Sequence, residues 1–255
     1  MQIKPKKSLG QHFLKDENIL SKIASSVLAG KEDRIIEIGP GEGALTNHLL
    51  KHSDDVTVVE IDQRAVELLE HKFPGLDIVQ KDILKADWET LKTENKRHFI
   101  CGNIPYYITS PILFKVMDSG HWYKRAVFLM QKEVAERLVA PPGSKTYGIL
   151  SVQAQIFGKT ALLFTVSRHA FFPKPNVESA VISFEPYAQN LPVDIANFKQ
   201  VVRMAFNQRR KKLSNSLSPL LAGREIESID LNLRPEQLEP KHFVTLTEEL
   251  FSEIS

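Results

Sequence analysis

The sequence predicts an α/β fold with a parallel sheet, followed by a small all-helical C-terminal lobe. Three observations carry this prediction. Short apolar runs alternate with helix-like segments before Pro192, the first run enters a glycine-rich turn at residues 39–43, and no strand pattern follows Pro192. Alternating strands and helices are typical of βαβ units, whose strands lie parallel.

Composition and charge indicate an ordinary globular protein with unevenly distributed bases. The 255 residues are 42% hydrophobic and 25% charged, and the formal net charge is +2. That net charge is too small to predict a polyanionic partner by itself. Residues 1–15 nevertheless hold four lysines and no acid, residues 198–217 hold six bases and no acid, and acids outnumber bases by eight to two from Glu225 onward. Any nucleic-acid contact is therefore expected in the two basic segments.

The cysteine count and the N-terminus predict a cytoplasmic protein. Cys101 is the single cysteine and lies in an apolar strand pattern, which excludes an internal disulfide and disfavours a metal cluster. The N-terminal lysines precede no apolar stretch of the kind a signal peptide needs, and no run reaches the length of a membrane span.

The chain begins with a basic arm. Residues 4–14 show neither helical nor strand periodicity, and they end in Gln11-His12-Phe13-Leu14. A helix opened by Asp16 or Asn18 follows. Because Phe13 and Leu14 are apolar, we expect the end of the arm to dock on the body of the protein.

The first three strands predict a nucleoside site. The first, at residues 34–38, precedes the glycine turn and a helix at 44–50; the second, at 56–59, ends in Glu60, twenty-one positions after Gly39. A carboxylate there is placed for the ribose hydroxyls of an adenosine ligand, and Asp82, after the third strand at 76–79, is placed for the adenine amine. This pattern alone fits both NAD and S-adenosylmethionine.

A fourth strand around residues 99–101 presents Asn103-Ile104-Pro105-Tyr106 at the ligand-binding edge of the sheet. The Asn103 side chain and the Ile104 carbonyl offer two acceptors for one amino group, and Tyr106 offers a face for a planar ring. Two acceptors would favour a pyramidal nitrogen whose lone pair is free to attack, so the tetrapeptide predicts alkylation of an amino group. The alternative is a strand-to-helix turn in which the asparagine bonds the local backbone.

Later segments complete the sheet and form the second lobe. Helices are predicted at 111–117, 132–139 and 149–157, and strands at 126–130, 161–166 and 180–184, the last two as an antiparallel pair. A ring of the connecting loop, Phe171 or Phe172, could face the site and stack on a base. After a linker at 185–192, the buried face of a helix is formed by Phe198, Val202, Ala205 and Phe206. Four successive bases follow, Arg209, Arg210, Lys211 and Lys212, and they would spread around the whole helix, so either the helix bends there or the long side chains snorkel. These contact phosphates or form a solvated charge run.

The sequence resembles the small-subunit ribosomal RNA adenine N6,N6-dimethyltransferases, which are relatives of the erythromycin-resistance rRNA methylases. The resemblance covers nearly the whole chain. It rests on residues 7–14, Glu37-Ile38-Gly39-Pro40-Gly41, Asn103-Ile104-Pro105-Tyr106, Gln131-Lys132-Glu133, Tyr147-Gly148, Leu150-Ser151-Val152, residues 171–179 and residues 205–211.

The resemblance implies a Rossmann-like, seven-stranded, S-adenosylmethionine-dependent methyltransferase sheet in residues 1–187, with the basic arm at 1–15, and a helical RNA- and ribosome-binding domain in 188–255. It implies a cytoplasmic monomer without a metal that acts on 16S rRNA in the pre-30S particle. Cofactor contacts are then expected from His12, Leu14, Gly39, Glu60, Asp82 and Asn103. Catalytic positions are expected at Asn103, Ile104, Pro105, Tyr106 and Phe171, and RNA contacts at Lys4, Lys6, Lys7, Arg209, Arg210, Lys211 and Lys212.

The chain departs from the family pattern at two positions. His12 stands where the family more often has asparagine, and Phe172 stands where a smaller residue is expected. The first departure leaves open whether residue 12 contacts the cofactor through its side chain or its backbone.

Other functions remain open from the sequence. A ribosome-assembly factor would use the same basic segments, but an intact Asn103 to Tyr106 favours retained chemistry. An NAD-linked dehydrogenase needs a hydride-transfer site, which the sequence does not suggest. Modification of DNA adenine or protein glutamine fits the tetrapeptide, whereas the helical lobe and the arm argue against both.

Overall fold

The computed structural model describes residues 3–6, 10–189, 191–224 and 226–251. The chain forms two compact units. The first comprises residues 1–135 and 160–186, and the second comprises residues 136–159 and 187–255.

The first unit is built on a seven-stranded sheet. Its strands are β2 (Arg34–Ile38), β3 (Asp55–Glu60), β4 (Asp77–Gln80), β5 (His98–Asn103), β6 (Arg125–Gln131), β7 (Gly158–Val166) and β9 (Ser179–Pro186). Their order is β4-β3-β2-β5-β6-β9-β7. The neighbours from β4 to β6 are parallel, and β9 is antiparallel to β6. The prediction of an α/β fold with a parallel sheet is therefore confirmed.

Helices precede β2 and follow most strands of the sheet. They are α1 (Glu17–Ser26), α2 (Ala44–Leu49), α3 (Gln63–Lys72), α4 (Thr109–Asp118) and α5 (Lys132–Leu138). Asp16 begins α1, because its side chain accepts hydrogen bonds from the amides of Asn18 and Ile19. The step from β4 to β5 differs from the others, since its one regular segment is the 3₁₀ turn Trp88–Leu91.

A two-stranded ribbon joins the N-terminal arm to the loop before β9. Strands β1 (Phe13–Leu14) and β8 (Phe171–Phe172) pair antiparallel, with Phe13 opposite Phe172 and Leu14 opposite Phe171. Leu14 is 3% exposed and packs in the same core cluster as Phe171. The expectation that the end of the arm docks on the body is confirmed.

The second unit is helical. It contains α6 (Ile149–Phe157), α7 (Ile195–Asn207), α8 (Leu213–Ser216), α9 (Ser218–Leu221) and α10 (Pro240–Phe251). Tyr147, Val152, Phe198 and Phe243 are fully buried in its core. Residues 136–159 thus belong with this unit, whereas the sequence analysis placed them in the first domain, because Tyr147 and Val152 pack in the same cluster as Phe198.

Of the two possibilities for the four bases, a bend in the helix or a continuous helix with snorkelling side chains, the structure shows an interrupted helix. The helix ends at Asn207, and Gln208 has a non-helical backbone with φ −122° and ψ 56°. Residues 208–212 lie in a turn that precedes α8. Among the helices of the described residues, none is long and apolar enough to cross a membrane.

Candidate active site

A cavity of about 230 Å³ lies where β2, β3 and β5 end. The carboxyl ends of parallel strands meet at one edge of a sheet, and ligands of open α/β folds bind there. The sequence-predicted residues that line this cavity are His12, Leu14, Gly39, Glu60, Asp82, Asn103, Ile104, Pro105 and Tyr106. The structure therefore brings together all the predicted cofactor residues and four of the five predicted catalytic positions.

The glycine turn after β2 closes one side of the cavity. Gly39 and Gly41 have φ of 68° and 56°, in the region that glycine alone enters readily. A Cβ atom at Gly41 would lie 2.9 Å from the Phe13 ring, which packs on the turn. Any larger residue at position 41 would push this part of the arm away.

The Glu60 carboxylate is held in place by three backbone amides. Its Oε1 accepts from Ile61 at 2.8 Å and from Asp62 at 2.9 Å, and its Oε2 accepts from Gly41 at 3.1 Å. Burial raises the pKa of Glu60 above its usual value, against the opposing effect of these hydrogen bonds. A carboxylate has about four acceptor positions, so Glu60 keeps about one for a ligand while it also anchors the glycine turn.

Asp82 lies on a loop whose backbone carbonyls accept hydrogen bonds from a lysine. The Oδ1 of Asp82 accepts from the amide of Leu84 at 2.9 Å. The ammonium group of Lys115 donates to the carbonyls of Leu84 and Ala86, both at 2.8 Å. Sequence reasoning missed Lys115, which lies in α4 and gives no local signal of this contact.

Asn103 is oriented by the arm. Its Nδ2 donates to the backbone carbonyl of His12 at 2.9 Å, which leaves Oδ1 as the acceptor of this side chain. The adjoining Ile104 is 1% exposed, and its amide donates to the Leu129 carbonyl at 3.0 Å. The tetrapeptide is thereby held to β6 on one side and to the arm on the other.

Tyr106 presents a fixed ring beside Asn103. Its hydroxyl shares a 2.6 Å hydrogen bond with Ser179, and burial raises the pKa of this hydroxyl. The Tyr106 ring stacks on the imidazole of His12 with centroids 5.4 Å apart and planes at 27°. Nδ1 of His12 lies 2.7 Å from the carbonyl oxygen of Pro173.

The structure does not bring Phe171 to the cavity. Its side chain is 5% exposed and packs with Leu14, its partner in the ribbon. Phe172 is 63% exposed, because successive residues of a strand point to opposite faces. Phe171 is thus a core residue in this structure, and the exposed ring is that of its neighbour.

Two acidic residues that sequence reasoning missed fasten the arm. Asp62 accepts from Gln11 and Lys6, and the Arg64 guanidinium beside it holds the pKa of Asp62 down to about 2. Glu42 accepts from the amide of Ile3 and from Lys15. The position of Asp62, two residues after Glu60 and at the start of α3, was the available signal.

Glu37 is a third acidic residue that sequence reasoning missed. It is 1% exposed, lines the cavity and accepts a 2.6 Å hydrogen bond from the Thr46 hydroxyl. Burial raises the pKa of Glu37 to about 8.

The lysines and arginines predicted to bind RNA differ in how many hydrogen bonds and ion pairs they make within the protein. In the arm, the Lys4 carbonyl accepts from Arg64 and Lys6 pairs with Asp62 at 3.5 Å, while Lys7 lies outside the described residues. In the second unit, Arg209 donates to the carbonyls of Ser144 and Lys145 at 3.0 and 2.7 Å. Lys212 donates to Asn232 at 2.9 Å, whereas Arg210 and Lys211 are exposed. Arg209 therefore holds a loop of its own unit.

Comparison with known proteins gives consistent matches over nearly the whole chain. The family model described as "Ribosomal RNA adenine dimethylase" matches residues 2–251. "Ribosomal RNA small subunit methyltransferase A" of Chlorobium phaeobacteroides (strain BS1) is 45% identical over 249 residues, which cover 98% of this chain and 95% of that protein. The protein of the same name from Parabacteroides distasonis is 46% identical over 251 residues, covering 96% and 93%.

Solved structures agree with this fold. The 23S rRNA methyltransferase ErmE is 26% identical and superposes with a TM-score of 0.64, covering 93% of this chain and 99% of that one. A dimethyladenosine transferase from Plasmodium falciparum superposes with a TM-score of 0.77 over 92% of this chain and 95% of that one. At 24% identity, the latter shows the fold alone.

Proposed function

The chain belongs to the ribosomal RNA adenine dimethylase family, and from this premise we propose that it dimethylates N6 of two adjacent adenosines near the 3′ end of small-subunit (16S) rRNA. The reaction takes place late in small-subunit biogenesis, in the cytoplasm, on the pre-30S particle, and the enzyme works as a monomer. The methyl donor is S-adenosyl-L-methionine.

The residues of the cavity fit this donor, which supplies an electrophilic methyl group on a positively charged sulfur when it is bound. The buried side chain of Glu60 lines the cavity, and its carboxylate form favours a cationic ligand. Glu60 retains about one acceptor position for the ribose. The second oxygen of Asp82 is the acceptor for the adenine amine, and Gly39 and Gly41 let the backbone approach.

The target amine is held by the tetrapeptide at the end of β5. The Oδ1 of Asn103 and the carbonyl of Ile104 accept from the two N–H bonds of the adenine amine, while the base stacks on Tyr106. The nitrogen becomes pyramidal, and its lone pair would form the new N–C bond as the bond from the methyl group to the donor's sulfur breaks. S-adenosylhomocysteine is then the leaving group, and one amine proton passes to water afterwards. These residues orient the adenine, and their hydrogen bonds to its amine become stronger in the transition state.

The observation that carries the proposal is the orientation of Asn103. Its Nδ2 donates to His12, so its Oδ1 is the atom available to a ligand beside the Tyr106 ring. Glu60 and Asp82 line the same cavity. An arrangement of two acceptors and one ring suits a planar base with an exocyclic amine.

Methyl transfer from labelled S-adenosylmethionine tests the proposal. The protein is incubated with small subunits that lack the modification and, separately, with naked 16S rRNA, and mass spectrometry of the nuclease digest identifies the product. We expect N6,N6-dimethyladenosine at two neighbouring positions in one of the two substrates, and nearly none with Asn103→Ala. Label in another nucleotide, or in neither RNA, would refute the proposal.

RNA is bound through lysine and arginine side chains of both units. Lys4 and Lys6 of the arm are exposed, as are Arg210, Lys211 and Lys212 at the turn after α7. We infer the same role for Lys7, which lies outside the described residues. Contacts of lysine and arginine with phosphates release counterions, so the affinity for the small subunit falls as salt rises.

A further inference from the structure

His12 contacts three parts of the target-base side of the site. Its backbone carbonyl accepts from the Asn103 amide, its ring stacks on Tyr106, and its Nδ1 faces the carbonyl of Pro173. Family resemblance suggested a contact with the cofactor for this position, but these contacts all lead toward the amine-binding tetrapeptide and the loop after β8.

The carbonyl of His12 decides which atom of Asn103 meets the substrate. An amide side chain carries one donor end and one acceptor end, and a carbonyl accepts only from the donor end. With Nδ2 committed to His12 at 2.9 Å, a rotation that exchanged the two ends would bring two oxygens together. The arm therefore keeps Oδ1 directed at the amine.

The imidazole of His12 fixes the ring of Tyr106. A centroid distance of 5.4 Å at 27° lies in the favourable range for offset stacking. Because the Pro173 carbonyl can only accept, Nδ1 of His12 carries the proton of the 2.7 Å hydrogen bond. That bond stops the imidazole from turning, and Ser179 holds the far end of Tyr106.

We propose that His12 is a positioning residue for methyl transfer, which orients Asn103 through its carbonyl and the stacking ring of Tyr106 through its imidazole. This inference rests on the proposed function. It places the role of the His12 side chain in the chemical step, where the adenine must lie on Tyr106 with its amine at Asn103, and not in cofactor affinity.

Three variants at position 12 separate the contacts of the imidazole. His12→Asn keeps a side-chain donor for Pro173 and removes the ring, whereas His12→Phe keeps a ring for Tyr106 and removes the donor. His12→Ala removes both. The backbone carbonyl that holds Asn103 is present in all three, so they test the side chain alone.

We measure kcat and KM for small subunits that lack the modification, and cofactor affinity by calorimetric titration. His12→Ala should lower kcat by roughly five- to 150-fold, since a stacked pair and a neutral hydrogen bond each correspond to about a two- to twelvefold change. His12→Asn and His12→Phe should fall between His12→Ala and the parent protein. The KM for subunits and the cofactor Kd should stay within about twofold of the parent.

The outcomes are distinct. A parent protein that forms no dimethyladenosine contradicts the proposed function itself. An active parent with unchanged kcat in His12→Ala overturns the positioning role, and so does a loss that appears wholly as a weaker cofactor Kd, because the side chain is then a cofactor contact. Thermal unfolding of each variant identifies loss of fold, and His12→Asn, with the residue common in the family, keeps the test valid if His12→Phe unfolds.

Discussion

The side-chain amide of Asn103 donates a 2.9 Å hydrogen bond to the backbone carbonyl of His12, which lies 91 positions earlier in the chain. The contact joins the end of a central strand to the end of the N-terminal arm. Because this bond holds Nδ2 of Asn103, the direction of its acceptor oxygen, Oδ1, depends on the docked arm.

Asn103→Ala should lower kcat by roughly 10²–10³-fold, the loss typical for one preorganised hydrogen-bonding group that acts in the transition state. Affinity for the small subunit should stay close to that of the parent protein, because Asn103 contributes most when the amine pyramidalises. Single-turnover methyl transfer and subunit binding are measured side by side, and near-normal dimethylation would refute the mechanism.

The same Asn103→Ala variant separates catalysis from an assembly role in cells. Mass spectrometry counts dimethyladenosines while sedimentation follows subunit maturation. Absent dimethylation with normal maturation confines the protein to catalysis, and stalled subunits would mean that release is coupled to modification.

Glu60→Gln should weaken S-adenosylmethionine binding by about tenfold or more, as expected when a charged acceptor worth roughly 1.5–3 kcal/mol is lost. The new NH₂ group would also face backbone amides that now donate to Glu60. Calorimetric titration measures the affinity, with the exposed Glu70→Gln as the matched control. Equal affinities in the two variants would remove Glu60 from the cofactor site.

Arg210→Ala combined with Lys211→Ala should reduce the salt dependence of small-subunit binding, with a log–log slope smaller by about two. These side chains are exposed, so thermal unfolding should be nearly unchanged. An unaltered slope would identify the pair as a solvated charge run.

Arg209→Ala should instead destabilise the protein by about 1–3 kcal/mol, because the carbonyls of Ser144 and Lys145 lose a charged donor. Urea unfolding measures the change, and Arg210→Ala is the control from the same turn. If Arg209→Ala unfolds like its control and shifts only the salt slope, Arg209 acts on RNA after all.

Phe171→Ala and Phe172→Ala should differ sharply in the free energy of unfolding. Loss of the buried Phe171 ring should cost roughly 3–5 kcal/mol, and loss of the exposed Phe172 ring should cost about 0.5 kcal/mol or less. Denaturant unfolding and methyl transfer are compared for both. A Phe171→Ala variant of normal stability but low activity would restore the base-stacking role expected from family resemblance.

Glu37 should make the protein less stable as the pH rises from about 4.5 toward 8. Its pKa is about 8 in the folded protein and 4.5 when exposed, so the folded state holds the proton more tightly. The stabilisation is complete below pH 4.5 and is lost as the pH passes through the folded pKa. Glu37→Gln should flatten this decline in urea unfolding between pH 5 and pH 9, and the exposed Glu32→Gln should not. Equal slopes would show that Glu37 is ionised in the folded protein.

The sequence by itself determined the sheet and the edge where the site forms. Apolar runs and the turns after them show where strands end, and parallel strands bring those ends to one edge of the sheet. For that reason Gly39, Glu60, Asp82 and Asn103 could be assigned to one cavity before the structure was known. Local pattern and strand topology are enough for this step.

Only the tertiary structure decided which atom or ring each residue uses. The pairing register of β1 with β8 places Phe171 in the core and Phe172 in solvent. A shift of this pairing by one residue would have exchanged the two rings. The end of α7 at Asn207 freed Arg209 to bind carbonyls of its own unit. The contacts of His12 with Asn103, Tyr106 and Pro173 join segments that are distant in the chain, and such pairings follow from competition among hydrogen-bond partners in the folded protein, which spacing along the sequence does not encode.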